Sequence, residues 1–116
     1  MDKDRPIEEV CALLKSLLKD DANQIIFCTG RVEDYREKTI EQINKILKGS
    51  KNIDIDSCLY MRPKGDYRKD FMVKRDLYKR MIVDGFHPVL VFEDKITVVE
   101  MWKEMGLKCL RVTGAQ

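Results

Sequence analysis

The sequence predicts an α/β fold: a Rossmann-like, mostly parallel sheet of about four strands with helices on both faces, in three layers. Three observations carry this. Helical and strand-like segments alternate along the chain in the order α-β-α-β-α-β-α-β, the pattern that right-handed crossovers join into a parallel sheet. The strand-like segments are short continuous apolar runs, as strands covered on both faces require. The length, 116 residues, suits one domain with one core, so residues 1–116 are read as a single unit.

Residues 5–19 read as the first helix. Pro6 suits its first turn, and Ile7, Val10, Cys11, Leu14, Leu17 and Leu18 form an i, i+3, i+4, i+7 stripe. Residues 24–28 are a short apolar strand ending at Thr29-Gly30-Arg31. Residues 34–48 form the second helix, with Ile40, Ile43, Ile46 and Leu47 inward and Gly49 stopping it. Residues 57–61 are the second strand, followed by a polar loop over 62–69 with Pro63 and Gly65 as turn residues. Residues 70–83 are helical, with Val73, Leu77, Tyr78, Met81 and Ile82 on the buried side. Residues 88–92 are the most apolar strand and run into Glu93-Asp94. Residues 95–105 are a helix capped by Gly106, and residues 108–112 the last strand.

Composition narrows the function. Hydrophobic residues are 44% and charged residues 36%, which excludes a disordered chain. The 22 Lys and Arg nearly balance 20 Asp and Glu, so net charge announces no strongly basic nucleic-acid binder. No apolar run approaches the roughly 20 residues of a membrane span, and Met1-Asp2-Lys3-Asp4-Arg5 lacks a signal-peptide core. Cys11, Cys28, Cys58 and Cys109 form no C-x-x-C pair and read as buried, reduced thiols of a cytoplasmic protein. The single His87 offers no metal cluster.

In open α/β sheets, function sits beyond the carboxyl ends of the strands. Here those ends carry Thr29-Gly30-Arg31, Arg62-Pro63-Lys64, Glu93-Asp94 and Thr113-Gly114, with Lys74 leaning over from the third helix. Thr29 lies where outward N–H groups favour an anion. Lys74 can neutralise a phosphate, and the Glu93-Asp94 pair can hold Mg²⁺, which prefers carboxylates and water. Each has an ordinary reading alone: a turn, a solvated lysine and a helix cap. Together they make a phosphoryl-transfer constellation.

Three stretches then resemble a known family: Ile25-Ile26-Phe27-Cys28-Thr29-Gly30-Arg31; Gly65-Asp66-Tyr67-Arg68-Lys69-Asp70-Phe71-Met72-Val73-Lys74; and Val91-Phe92-Glu93-Asp94-Lys95 followed by Val98-Val99-Glu100-Met101-Trp102. They resemble the haloacid-dehalogenase (HAD) phosphatases, and among them the phosphatase domain of phage-type polynucleotide kinase/phosphatase, over roughly residues 5–113. The resemblance implies that Thr29 binds the phosphoryl group, that Lys74 stabilises an aspartyl-phosphate, and that Asp94 with Glu93 holds Mg²⁺. It implies that Thr29, Gly30, Arg31, Arg68, Lys69 and Lys74 form the edge that binds phosphate and substrate.

The family's first motif, D-x-D-G-T after an apolar strand, supplies the nucleophile and the general acid/base. It does not occur in this sequence. Asp2-Lys3-Asp4 has no strand before it, and Asp54-Ile55-Asp56 precedes a strand instead of following one. Relative to the family the domain is therefore expected to be truncated at its N-terminal side, without the central first strand. Three arrangements answer that: segments 24–28 and 88–92 pair directly in a sheet of family order 3-2-4-5, a homodimer supplies the missing contacts, or a segment of a longer protein does. The first is expected. The function implied is Mg²⁺-dependent phosphomonoester hydrolysis on a nucleic-acid 3′ end or a phosphorylated small molecule, with this chain inactive alone and no membrane partner. The alternatives are an incomplete module binding phosphate, nucleotide or nucleic acid, and a structural or protein-interaction domain.

Overall fold

A computed structural model describes residues 8–50 and 53–112. It contains the expected alternation: α1 (Glu8–Leu18), β1 (Phe27–Val32), α2 (Arg36–Ile46), β2 (Leu59–Arg62), α3 (Asp70–Val83), β3 (Leu90–Glu93), α4 (Ile96–Glu104) and β4 (Lys108–Arg111). Single 3-10 turns, Glu33–Tyr35 and Ile55–Cys58, lead into α2 and β2. Pro6, Asp2-Lys3-Asp4 and Thr113-Gly114 lie outside the described residues. α3 and α4 each stop at a glycine with positive φ, Gly85 at 97° and Gly106 at 86°. Phe86 N–H reaches back to Met81 O and Leu107 N–H to Trp102 O at 2.9 and 3.1 Å, the bonds of a Schellman ending that glycine accommodates without strain.

Both strand pairings are parallel, β1 with β2 and β3 with β4. The expected direct pairing of 24–28 with 88–92 is not made, and the strands form two separate two-stranded sheets. The reason lies in what separates them. Cys28 and Thr29 on β1, Phe92 and Glu93 on β3, and Lys74 between them line an open cleft. A buried ion pair occupies this boundary, and the facing edges of β1 and β3 are left without a strand partner among the described residues.

Side-chain alternation in β2 distributes the core. Leu59 and Met61 pack with Leu18 of α1 and with Ile43 and Leu47 of α2 and its end. Tyr60 points the other way, onto Val73, Leu77 and Met81 of α3. α4 covers the β3–β4 pair through Val98, Val99, Met101 and Trp102 against Val91 and Cys109. Tyr78 and Cys28 touch both this cluster and the α3 cluster, joining the two halves on one side. Ile82, expected on the buried side of α3, is exposed, while Lys74 is buried. The four cysteines are free thiols, with Cys58 and Cys109 buried and Cys11 and Cys28 half-buried. Among the described residues no helix is long and apolar enough to cross a membrane.

Candidate functional site

The first side of the site is a bulge in β1. The apolar run was expected to end before Thr29, but the strand continues to Val32. Thr29 pairs with Met61 and Val32 with Arg62, so Gly30 and Arg31 are extra residues in the ladder. Arg62 holds the bulge: its Nε donates to Gly30 O at 2.7 Å, and its Nη2 pairs with Asp70 Oδ1. Asp70 in turn lies on Gly30, where a Cβ would stand 2.7 Å from Asp70 Oδ1. A side chain at position 30 would require that carboxylate to shift. The bulge turns Thr29 into the cleft, where its Oγ1 accepts the Arg31 N–H at 3.1 Å.

The second side is the pair Lys74–Glu93. Lys74 sits in the second turn of α3 and is buried, and Glu93 ends β3 and is buried too. Lys74 Nζ donates to Glu93 Oε1 at 3.0 Å. The same oxygen accepts Trp102 Nε1–H from α4 at 3.3 Å, and Oε2 accepts the Lys95 N–H at 3.3 Å. Three donors thus fix one carboxylate. An ammonium has three N–H groups, and Glu93 takes one.

Between these sides is a cleft of about 310 Å³, lined by Thr29, Cys28, Lys74, Glu93, Phe92 and Asp94 and closed by Val10 and Val112. Asp94 is exposed on it. Burial pushes the Cys28 thiol up to about 12, with the nearby Lys74 lowering it and Glu93 raising it. Asp70 balances opposing influences. Burial raises its carboxyl, but the bond and charge of Lys95, with Lys74 and Arg62, hold it below the usual range.

The structure separates the other expected site residues from the cleft. Arg31 turns onto α2, donating to Gln42 Oε1 at 2.6 Å and Thr39 Oγ1 at 3.2 Å, with its guanidinium 6.0 Å from the Tyr35 ring centre. Arg68 forks onto Asp66 and Asp76, each at 2.8 Å. Lys69 is exposed at the cap of α3. Asp54 accepts from Ser57, and Asp56 pairs with Arg36 ahead of β2, at its N-terminal end.

Magnesium needs near-octahedral oxygen donors. Glu93 already accepts from Lys74, Trp102 and the Lys95 amide, and Asp94 is the carboxylate beside it. Among the described residues no group of three or more His, Cys, Asp or Glu could hold a metal ion, so these residues do not by themselves fit Mg²⁺.

Asp70, Lys95 and Trp102 shape the site without having been given a role from sequence, and Arg62 was named there only among the strand-end residues. Asp70 and Trp102 stand inside the stretches that carry the resemblance, and Lys95 directly follows the acidic pair, so position was the available signal. Arg62 had no local signal beyond ending a strand.

Residues 1–116 match the family described as the polynucleotide kinase PNKP phosphatase domain. The chain belongs to that family. A relative is the "Putative bifunctional polynucleotide kinase/RNA ligase" of Autographa californica nuclear polyhedrosis virus, 33% identical over 84 residues. The match covers 72% of this chain and 11% of that protein, so the chain spans a small part of the relative. A domain of that family accounts for the alternation of helices with short parallel strands.

Proposed function

We propose that the cleft is the phosphate-binding half of a polynucleotide 3′-phosphatase site. The observation that supports this best is the convergence of Thr29 and Lys74 at the carboxyl ends of parallel strands. A hydroxyl and a buried, carboxylate-oriented ammonium face one water-sized to phosphate-sized space. Such a pair binds a phosphoryl group and stabilises the charge that develops as it transfers. Lys74 supplies charge, Thr29 a hydrogen bond, and Glu93 holds the ammonium toward the cleft.

The half that attacks phosphorus is not found among the described carboxylates. Glu93 is locked by three donors, and Asp94 is on the exposed rim. The open edges of β1 and β3 face the same cleft, and one further parallel strand between them would satisfy both ladders. A carboxylate at the end of that strand would stand beside Thr29 and Lys74. Alone, the chain binds a 3′-phosphorylated end and does not hydrolyse it.

The test is release of phosphate from a 3′-phosphorylated oligonucleotide by the purified chain, with and without Mg²⁺, beside a binding titration of the same oligonucleotide. Binding without release is the expected result. Mg²⁺-dependent release that disappears in Asp94→Ala would contradict the half-site. Absence of both binding and release would overturn the reading entirely.

A further inference from the structure

The most exposed large hydrophobic side chain described is Tyr67, at 95% relative exposure. An exposed tyrosine alone says little. What sets this one apart is how its backbone is held. Arg62 Nη1 donates to the carbonyls of both neighbours, Asp66 at 3.0 Å and Arg68. The Arg68 N–H and Nε both donate to Asp66 Oδ1, at 3.1 and 3.0 Å. Asp66 N–H closes a turn onto Pro63 O at 3.1 Å. Arg68 is anchored again on Asp76 of α3. The loop is therefore braced on each side of a ring that touches almost nothing.

The brace is also the link to the cleft. The same Arg62 guanidinium that grips both carbonyls flanking Tyr67 donates to Gly30 O, and Gly30 follows Thr29. One planar group and two hydrogen bonds separate the Tyr67 backbone from the bulge that turns Thr29 inward. One side chain thus grips both the loop that carries Tyr67 and the bulge that follows Thr29. Single-stranded nucleic acids are bound by cationic side chains combined with aromatic faces on which bases stack. Lys64 and Lys69, both exposed, flank Tyr67 along this loop. A ring on a braced loop loses little freedom when a base stacks on it.

We propose that Tyr67 is the stacking platform for the terminal nucleobase of a single-stranded, 3′-phosphorylated end. This rests on the phosphate-site reading above and adds a base subsite to it. Because every base has a flat face, the subsite is expected to accept all four bases and to reject an end that lacks one.

The experiment uses a 3′-phosphorylated oligonucleotide whose terminal base is 2-aminopurine, and a matched one whose terminal nucleotide is abasic. The chain should quench 2-aminopurine and bind the abasic end roughly 5- to 160-fold more weakly, the range seen for one stacked base. Tyr67→Ala should lose the quench and the discrimination, and Tyr67→Trp should restore both. A far-UV circular dichroism spectrum unchanged from that of the parent chain confirms that each variant is folded. If the chain prefers 3′-phosphate to 3′-hydroxyl ends but Tyr67→Ala keeps quench and discrimination, the base subsite is wrong and the phosphate site stands. If the chain does not distinguish phosphate from hydroxyl ends, both fall.

Discussion

Replacing Glu93 by Gln tests the site where its energetics are most concentrated. The change keeps shape and removes one charge. Lys74 and Glu93 side chains are only 11% and 7% exposed, with Nζ and Oε1 3.0 Å apart. At an effective dielectric of about 20, two unit charges at that distance attract by about 5 kcal/mol. Glutamine can still accept from Lys74 and Trp102 through Oε1, which retains part of this. The remainder is a buried ammonium without a counter-charge, and breaking such a pair costs about 3–5 kcal/mol. The assay is urea unfolding followed by Trp102, the single tryptophan, which is itself buried. With a slope of about 2 kcal/mol per molar urea, a loss of about 4 kcal/mol lowers the midpoint by about 2 M. Lys74→Met combined with Glu93→Gln should recover most of that, because no charge is then left buried. A shift of less than about 0.5 M for Glu93→Gln, or simple additivity in the double variant, would refute a tightly coupled buried pair.

Other outcomes follow from neighbouring contacts. Gly30→Ala should destabilise the chain by about 1–3 kcal/mol, the usual range for overpacking, and should cost less in an Asp70→Ala background, which a double-mutant cycle measures; equal costs would mean that the Asp70 carboxylate simply moves aside. Cys28 should stay unmodified by Ellman's reagent at pH 8 until the chain unfolds, since burial holds its thiol up at about 12, and mapping of the modified residue reads this directly. Asp66 should titrate at about 2, held down first by the side-chain bond of Arg68 and then by its N–H. Its folded value lies below the unfolded one, so its contribution is present above about pH 4 and fades as pH falls toward 2; a carboxyl NMR shift near the usual Asp range would contradict the brace on the Tyr67 loop.

How much could be read from the sequence depended on how local each cause was. α3 runs over 70–83 as its pattern implies, because its polar lead-in, apolar stripe and closing glycine are all adjacent in the chain. β1 did not follow its apolar run. Its last residues are strand because Arg62, some thirty positions on, donates to Gly30 O, and no local pattern encodes that bond. The two-sheet arrangement was equally hidden: four apolar segments look sufficient for one sheet, and only packing shows an ion pair and a cleft between them. In the site, Thr29, Lys74, Glu93 and Asp94 meet because each is fixed by its place at a strand end or early in a helix. Arg31 and Arg68 leave the cleft for Gln42 and Asp76. Long side chains choose among partners by helix orientation, which spacing alone does not give. Glu93, read as one of a metal-holding pair, accepts from Lys74 and from Trp102 arriving from α4, a partner that spacing along the chain does not give.

The most direct test of the phosphate site is a calorimetric titration of the chain with two oligonucleotides that differ only in a 3′-phosphate or a 3′-hydroxyl. The phosphorylated end should bind more tightly, and Thr29→Val should remove roughly ten- to a hundredfold of that preference, the worth of one hydrogen bond to a charged group. Equal affinity for the two ends, or a preference that Thr29→Val leaves untouched, would contradict a phosphate site between β1 and β3.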